Sequence, residues 1–341
     1  MKFNASAKAF ANVALVKYFG KRDRVLNLPD ASSLSLTLEP LQTVTKIVFD
    51  ESYKSDKVLF NGDVVEGSAA TRISSFLDIA RNLKGITLKA NVDTTNSFPT
   101  AAGLASSASG FAALARAVDY ALDLKLDDTA LSAYARRGSG SASRSVFGGF
   151  VKWQRGEKDD GSDSHGICIK KPSWWDLRMI VGVADSGQKS MGSTGAMNLT
   201  KETSPYYKSW IKSAQSHVNE AVEAIEKKDF QKLGEITENS ALLMHGAIMG
   251  SNPGIMFLKG TTIDAYHLTV EMRKKGLGAY FTCDAGPQPK ILCTVEDAVK
   301  IERELSMLKG IKKVINCKIG DGAQVIKPYG TSIEDKCSTL Q

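Results

Sequence analysis

The 341-residue chain reads as an α+β protein, and three observations predict it. Segments of alternating apolar and polar residues recur through the first half and mark strands. Residues 205–249 in the second half are almost wholly helical in pattern. A helix, two strands, a helix and a strand then close the chain between residues 262 and 319. The change of composition near residues 180–190 divides the chain into units 1–184 and 185–341.

The elements follow in order. Residues 34-LSLTL-38 and 44-VTKIVFD-50 alternate and predict strands. In 58-VLFNGDVVEG-67 the Asn61-Gly62 pair predicts a hairpin. Residues 70–83 have helical periodicity, and 86-ITLKANVDT-94 alternates again. The strongest helix is 106–124, where Phe111, Leu114, Ala115, Val118, Ala121 and Leu122 fall on one stripe. Residues 134–153 read as a helix end, a Gly/Ser loop and a strand-like segment, and 178–185 as a buried strand.

Composition limits the function. Apolar residues at 43% and charged residues at 24% suit a globular chain. The net charge of +7 is interspersed with acids, as in 155-RGEKDDGSD-163, which argues against nucleic-acid binding and suits small anionic substrates. An RNA-binding protein would more often cluster its basic residues. The five cysteines (Cys168, Cys283, Cys293, Cys317, Cys337) form no CxxC pair, so reduced thiols are expected and no zinc site. No apolar run reaches the ~20 residues of a membrane span, and Lys8 and Lys17 break up the N-terminal apolar stretch. A cytoplasmic location is expected.

Four clusters can carry chemistry. The first is 99-PTAAGLASSASG-110, a run of small residues leading into a helix. Its unpaired N–H groups at the positive end of the helix dipole favour an anion, with Ser106 and Ser107 adding hydroxyls. A close-packed helix start is the alternative. The second is 12-NVALVKYFGKRD-23, where Lys17, Lys21 and Arg22 are point charges suited to phosphate oxygens or to solvent. The third is 136-RRGSGSASRS-145, where Arg144 can hold a carboxylate or phosphate with two parallel hydrogen bonds, or lie in a mobile loop. The fourth is 282-TCDAGPQP-289, where Asp284 follows an apolar strand as a base or as the side chain of an Asx-turn.

Together, in this order, these segments resemble the mevalonate diphosphate decarboxylase family of the GHMP kinase superfamily. The matching stretches are 11-ANVALVKYFGKRD-23, 32-SSLSLTL-38, 96-NSFPTAAGLASSASGFAALA-115, 135-ARRGSGSASRSVFGGFVKW-153, 197-MNLTKETSPYY-207 and 281-FTCDAGPQPKIL-292. The resemblance implies an N-terminal domain like ribosomal protein S5 domain 2, a ferredoxin-like C-terminal domain and a homodimer. It implies that ATP, with Mg²⁺, phosphorylates the 3-hydroxyl of mevalonate 5-diphosphate, after which phosphate and carbon dioxide leave. Ser97, Ala102, Gly103, Leu104, Ala105, Ser106 and Ser107 would then surround ATP, with Ser107 a candidate metal contact. Asp284 would face the 3-hydroxyl, Lys17 the transferred phosphoryl group and Arg144 the carboxylate, with Asn12 positioning Arg144. Tyr18, Lys21, Ser139, Gly140, Ser141, Ser193 and Thr194 would meet the 5-diphosphate.

Three positions depart from the family pattern. Phe19 stands where the family usually has Trp, and 29-PDASS-33 places Asp30 and Ala31 where it usually reads Asn-Ser. Thr194 stands where an Arg normally binds the diphosphate, a contact worth roughly 1.5–3 kcal/mol. Two substrates are therefore open, the 5-diphosphate and, as the alternative, mevalonate 5-phosphate.

Overall fold

In the computed structural model, which describes residues 1–98, 106–184 and 191–326, the alternating segments of the first half build around two long strands. β1 (Lys2–Val16) is followed by a short ribbon of β2 (Lys21–Asp23) and β3 (Leu28–Pro29), then by β4 (Ser33–Asp50). β1 and β4 pair antiparallel from Lys2↔Asp50 to Val16↔Leu34, with register shifts at Phe10/Ala11 and Ala14/Val16. The two strands expected at 34–38 and 44–50 are thus opposite ends of one 18-residue strand. β5 (Lys57–Phe60) and β6 (Asp63–Val64) form the hairpin expected at Asn61-Gly62.

Three helices follow: α1 (Gly67–Lys84), then, after β7 (Lys89–Asn96), α2 (Ser106–Leu122) and α3 (Asp128–Gly138). The Gly/Ser stretch expected as a loop instead contains a short helical turn, α4 (Ala142–Ser145), before β8 (Phe150–Trp153), β9 (Gly166–Lys170) and β10 (Leu177–Ala184). α5 (Ser193–Thr203) was not foreseen. The helical run at 205–249 is two helices, α6 (Tyr207–Lys227) and α7 (Phe230–Met249). They break at Lys228, whose φ is 53°, and Asp229 caps α7 by accepting from the Lys232 N–H at 3.0 Å. α8 (Gly260–Lys274), β11 (Ala279–Cys283), β12 (Pro289–Thr294), α9 (Ala298–Ser306), β13 (Ile311–Ile319) and β14 (Gln324–Val325) complete the described chain.

One sheet joins both halves, in the order β6-β5-β7-β4-β13-β10-β12-β11. The join is narrow: β13 meets β4 only at Lys318↔Glu39 and Ile319↔Leu38. The core under β1 and β4 takes the alanine-rich face of α2, where Ala112, Ala113, Ala115 and Ala117 are fully buried. These small side chains let the helix sit close to the sheet, and Ser109 bonds Thr43 hydroxyl to hydroxyl at 2.6 Å. A second core, with Leu15, Leu34, Phe150 and Met179, runs beneath the join and packs α6 and α7 there. Fully burying a Leu or Phe of this kind contributes about 1.5–3 kcal/mol. The consequence for the site is that the end of β1 faces the loop after β11.

Candidate active site

Asp284 sits just beyond β11, in the tight connection to β12. Cys283 pairs with Pro289 across that hairpin, and the Gly286 N–H donates to the Asp284 carbonyl at 2.6 Å. Its carboxylate is 27% exposed and receives two lysines. Lys17 Nζ, just past the end of β1, lies 2.8 Å from Oδ1, and Lys290 Nζ of β12 lies 3.0 Å from Oδ2. The two ammonium groups are 1% and 3% exposed, so water screens them little. Burial pushes the Asp284 carboxyl up, but Lys17 and then Lys290 outweigh it and hold the group well below the usual carboxylate range. Burial pulls Lys17 below its ordinary value, and the Asp284 charge opposes that. The Lys17 backbone N–H donates to Ser240 Oγ of α7 at 3.0 Å, so a helix of the second half fixes a residue of the first. The cluster is an ionised carboxylate with one excess positive charge around it, a field that suits a transferring phosphoryl group.

Arg144, on α4, is 2% exposed and held on three sides. Its Nε and Nη2 donate to Asn12 Oδ1 at 3.3 and 3.2 Å, and Nη1 donates to Ser33 Oγ at 2.6 Å. Asn12 is itself fixed by donating to Ser145 Oγ at 2.7 Å and the Ser141 carbonyl at 3.0 Å. The guanidinium lies 5.7 Å from the Trp153 ring centroid. Burial lowers Arg144 to about 10, with Tyr18 and Asp284 opposing, so it remains charged at neutral pH. A guanidinium has five N–H donors, which leaves two for an incoming carboxylate.

Tyr18, Ser139, Gly140 and Ser141, four of the residues expected around a diphosphate, lie together. Ser139 Oγ donates to Ser107 Oγ at 3.2 Å and shares a hydrogen bond with Ser141 Oγ at 3.3 Å. This hydroxyl row links the first turn of α2 to the α3–α4 connection. Tyr18 packs edge-on to Trp153 at 4.7 Å, and its buried Oη has no hydrogen-bond partner among the described residues. A Cβ at Gly140 would lie 2.8 Å from that Oη and 2.7 Å from the Trp153 ring, so only glycine fits there. Lys21 Nζ donates to Asn27 Oδ1 at 2.6 Å. Burial, then Arg72 and Arg24, lowers Lys21 to about 8. Arg72 of α1 donates through Nε to the Gly138 carbonyl at 2.9 Å and stacks 4.8 Å from the Phe111 ring centroid.

Not every expected residue meets this cluster. The Ser97 hydroxyl donates to the Pro40 carbonyl at 3.0 Å and accepts from the Gln42 N–H at 3.1 Å, tying β7 to the bend in β4. Ser193 and Thr194 open α5, and neither hydrogen bonds to Tyr18, Lys21, Ser139 or Ser141 among the described residues. Ala102, Gly103, Leu104 and Ala105 lie outside the described residues, as does Cys337. The opening turn of the 17-residue α2 is described and has no acidic side chain, so the Ser106 and Ser107 hydroxyls at the positive end of its dipole fit nucleotide phosphates. Among the described residues no three His, Cys, Asp or Glu side chains gather as metal ligands. A magnesium ion carried by a triphosphate at this helix start would have Ser107 as a nearby hydroxyl.

Sequence reasoning missed Lys290, Ser240, Arg72 and His245. Lys290 carried a signal, a single charge inside the apolar run 289-PKILC-293. His245 of α7 is 2% exposed, and burial followed by the Lys17 charge lowers it to about 4, so it adds no charge beside Lys17.

Comparison with known proteins agrees with this geometry. The family model described as diphosphomevalonate decarboxylase-like N-terminal domain matches residues 9–166, and that of the mevalonate 5-diphosphate decarboxylase C-terminal domain matches residues 179–309. The crystal structure of mevalonate diphosphate decarboxylase from Staphylococcus aureus superimposes with a TM-score of 0.92 at 40% identity, covering 96% of this chain and 99% of that one. A structure described as MDDEF in complex with MVAPP, AMPPCP and magnesium gives a TM-score of 0.90 at 38% identity, covering 96% of this chain and all of that one. Diphosphomevalonate decarboxylase of Candida albicans is 34% identical over 357 residues, 94% of this chain and 98% of its own. The α+β, GHMP-kinase type fold expected from the resemblance stands on the same superpositions. On these matches across both halves, the chain belongs to the diphosphomevalonate decarboxylase family.

Proposed function

We propose that the protein converts mevalonate 5-diphosphate and ATP to isopentenyl diphosphate, ADP, phosphate and carbon dioxide, with the residues above in the following roles. The observation that carries the reading is Asp284, ionised between Lys17 and Lys290 and near enough to the buried Arg144 for its charge to act on that guanidinium. Asp284 accepts the hydrogen bond of the 3-hydroxyl and aligns its oxygen on the γ-phosphorus. A carboxylate held so far into its ionised form is a weak base, so it takes the proton late, as the oxygen–phosphorus bond forms. Lys17 and Lys290 offset the charge on the transferring group. Magnesium, when bound, neutralises charge on the triphosphate. Once phosphorylated, the 3-oxygen leaves as phosphate, the carbon–carboxylate bond supplies the electron pair of the new double bond, and carbon dioxide departs. Arg144 orients the carboxylate for this step.

The 5-diphosphate is met by Lys21, Tyr18, Ser139 and Ser141. Arg72 adds a cation beside them where Thr194 adds none. The relatives are diphosphomevalonate decarboxylases by name, which favours the diphosphate over mevalonate 5-phosphate. The test is kcat/KM for each: a strong preference for the diphosphate supports the reading, and a preference for the monophosphate overturns it. The division of labour between units 1–184 and 185–341 is part of the proposal, the first cradling phosphates and the second supplying Asp284. A cytoplasmic homodimer is proposed with it; among the described residues no helix is long and apolar enough to cross a membrane.

Lys21 sets a pH dependence. Its folded-state pKa is lowered to about 8, so its charge in the free enzyme is lost as pH rises through that value. Binding the diphosphate must then return a proton to it. We expect kcat/KM for mevalonate 5-diphosphate to fall above pH 8, approaching about tenfold per pH unit, while kcat stays flatter. Lys21→Arg should remove that alkaline limb. A limb that survives in Lys21→Arg assigns it to another group.

A further inference from the structure

We propose that Lys201, Asp30 and Tyr207 form a positioning clamp that docks α5 on the Tyr18–Lys21 segment and thereby sets affinity for the substrate's 5-diphosphate. The proposal rests on the functional reading above. Lys201 Nζ, in the last turn of α5, donates to Asp30 Oδ2 at 2.8 Å, to Asp30 Oδ1 at 3.0 Å and to the Lys21 carbonyl at 2.7 Å. Tyr207 Oη, in the first turn of α6, donates to Asp30 Oδ2 at 2.6 Å. The Asp30 N–H donates to the Gly20 carbonyl at 3.2 Å. Five hydrogen bonds thus converge on Asp30 and the backbone carbonyls of Gly20 and Lys21.

The fit is close. Gly20 has φ +134°, and a Cβ there would lie 1.8 Å from Tyr207 Oη. Glu202, next to Lys201, reaches Arg24 Nη2 at 2.5 Å on the surface of the same junction. α5 is 11 residues long, about 16 Å of rigid helix, with the clamp at one end and Ser193 and Thr194 at the other. Fixing its last turn therefore fixes where its first turn points.

The charges explain why three groups are needed. Asp30 is one of the positions where the chain departs from the family pattern, and its carboxylate lies next to residues that must receive an anion. Left alone it would repel a diphosphate. Lys201 neutralises it, Tyr207 takes up one of its oxygens, and the 15% exposure of its side chain leaves little to water. Lys201 is a positioning residue here, because it acts through Asp30 and Lys21.

The test is steady-state kinetics on the full chain. Lys201→Met, which removes all three of its hydrogen bonds and leaves Asp30 unneutralised, should raise KM for mevalonate 5-diphosphate by about tenfold. KM for ATP and kcat should stay within about twofold, because the clamp does not touch the nucleotide or Asp284. Lys201→Arg should restore KM, and Lys201→Met combined with Asp30→Asn should recover part of it by removing the unpaired charge. Tyr207→Phe, which deletes one oxygen, is the milder variant if Lys201→Met fails to fold, and should raise the same KM by about threefold. An unmoved KM for the diphosphate in these variants overturns the clamp, as does an equal rise in KM for ATP. A wild-type protein that does not turn over mevalonate 5-diphosphate overturns the functional reading instead, and the clamp with it.

Discussion

Asp284→Ala should lower kcat by about 10³-fold or more while leaving the dissociation constant for ATP within about threefold. In the reading proposed above the carboxylate aligns the 3-hydroxyl, and its partners are Lys17 and Lys290. The nucleotide cradle proposed above uses instead the start of α2. Deleting the carboxylate also leaves two buried ammonium groups facing each other without a counter-charge, so the transferring phosphoryl group would meet a misplaced Lys17 as well as an unaligned hydroxyl. Asp284→Asn separates the two effects. It keeps a hydrogen-bond acceptor for the lysines and still loses the charge. Kinetics with a parallel nucleotide titration decides the matter: activity near wild type in Asp284→Ala would remove Asp284 from the reaction.

The same pair fixes a pH expectation. The folded-state pKa of Asp284 is depressed by its lysines, so the stabilisation it contributes is present above the ordinary carboxylate value near 4 and is lost only as pH falls toward the folded value. An acid limb in kcat between roughly pH 5 and 7 therefore belongs to some other group.

Arg144→Ala should lower kcat/KM for the diphosphate substrate by about 10²–10³-fold, of the order found on deleting one preorganised donor group from an active site. Three of its donors are spent on Asn12 and Ser33, so its orientation is decided before substrate arrives. Truncation also strips Asn12 Oδ1 and Ser33 Oγ of the guanidinium donors that reach them. Arg144→Lys should recover little, since a single ammonium cannot reproduce the planar fork. Asn12→Ala leaves the guanidinium present but loose, and a loss of about tenfold is expected. Equal kinetics for Arg144→Ala and wild type would exclude it from carboxylate binding.

Much of this was legible in the sequence, for physical reasons that differ by element. The strand 86–94 was readable from its alternation, 178–185 as a short apolar run buried on both faces, and the helix 106–124 from its stripe of large apolar residues. β4 was read as two strands because 39-EPLQ-42 interrupts the alternation, although the backbone continues through it. α5 was missed because its buried residues are few (Ala196, Met197 and Thr200), too weak a stripe to see. Asp284, Lys17 and Arg144 stand out as charges in their own segments, but their roles, and Asn12 altogether, come from the resemblance, since a lone charge in a sequence does not disclose its partner. Lys17 and Asp284 meet across 267 positions of chain, and no local pattern encodes such a contact. Lys290 was missed for the same reason, since its importance comes from pairing with Asp284 across the hairpin. The small residues of 99–110 have two causes. Ala108 and Ser109 are buried against the sheet, whereas Ser107 is exposed and reaches Ser139. Close packing and an exposed hydroxyl therefore coexist in the described part of the stretch, residues 106–110.

The most direct measurement is the simultaneous release of ADP and carbon dioxide from MgATP and mevalonate 5-diphosphate by the wild-type protein. Equal amounts of the two, from the first turnover onward and both abolished in Asp284→Ala, are the result expected of an aligned hydroxyl and an oriented carboxylate in one cleft. ADP release without carbon dioxide, with a stable 3-phosphate accumulating, would contradict it and make the protein a kinase of the same hydroxyl.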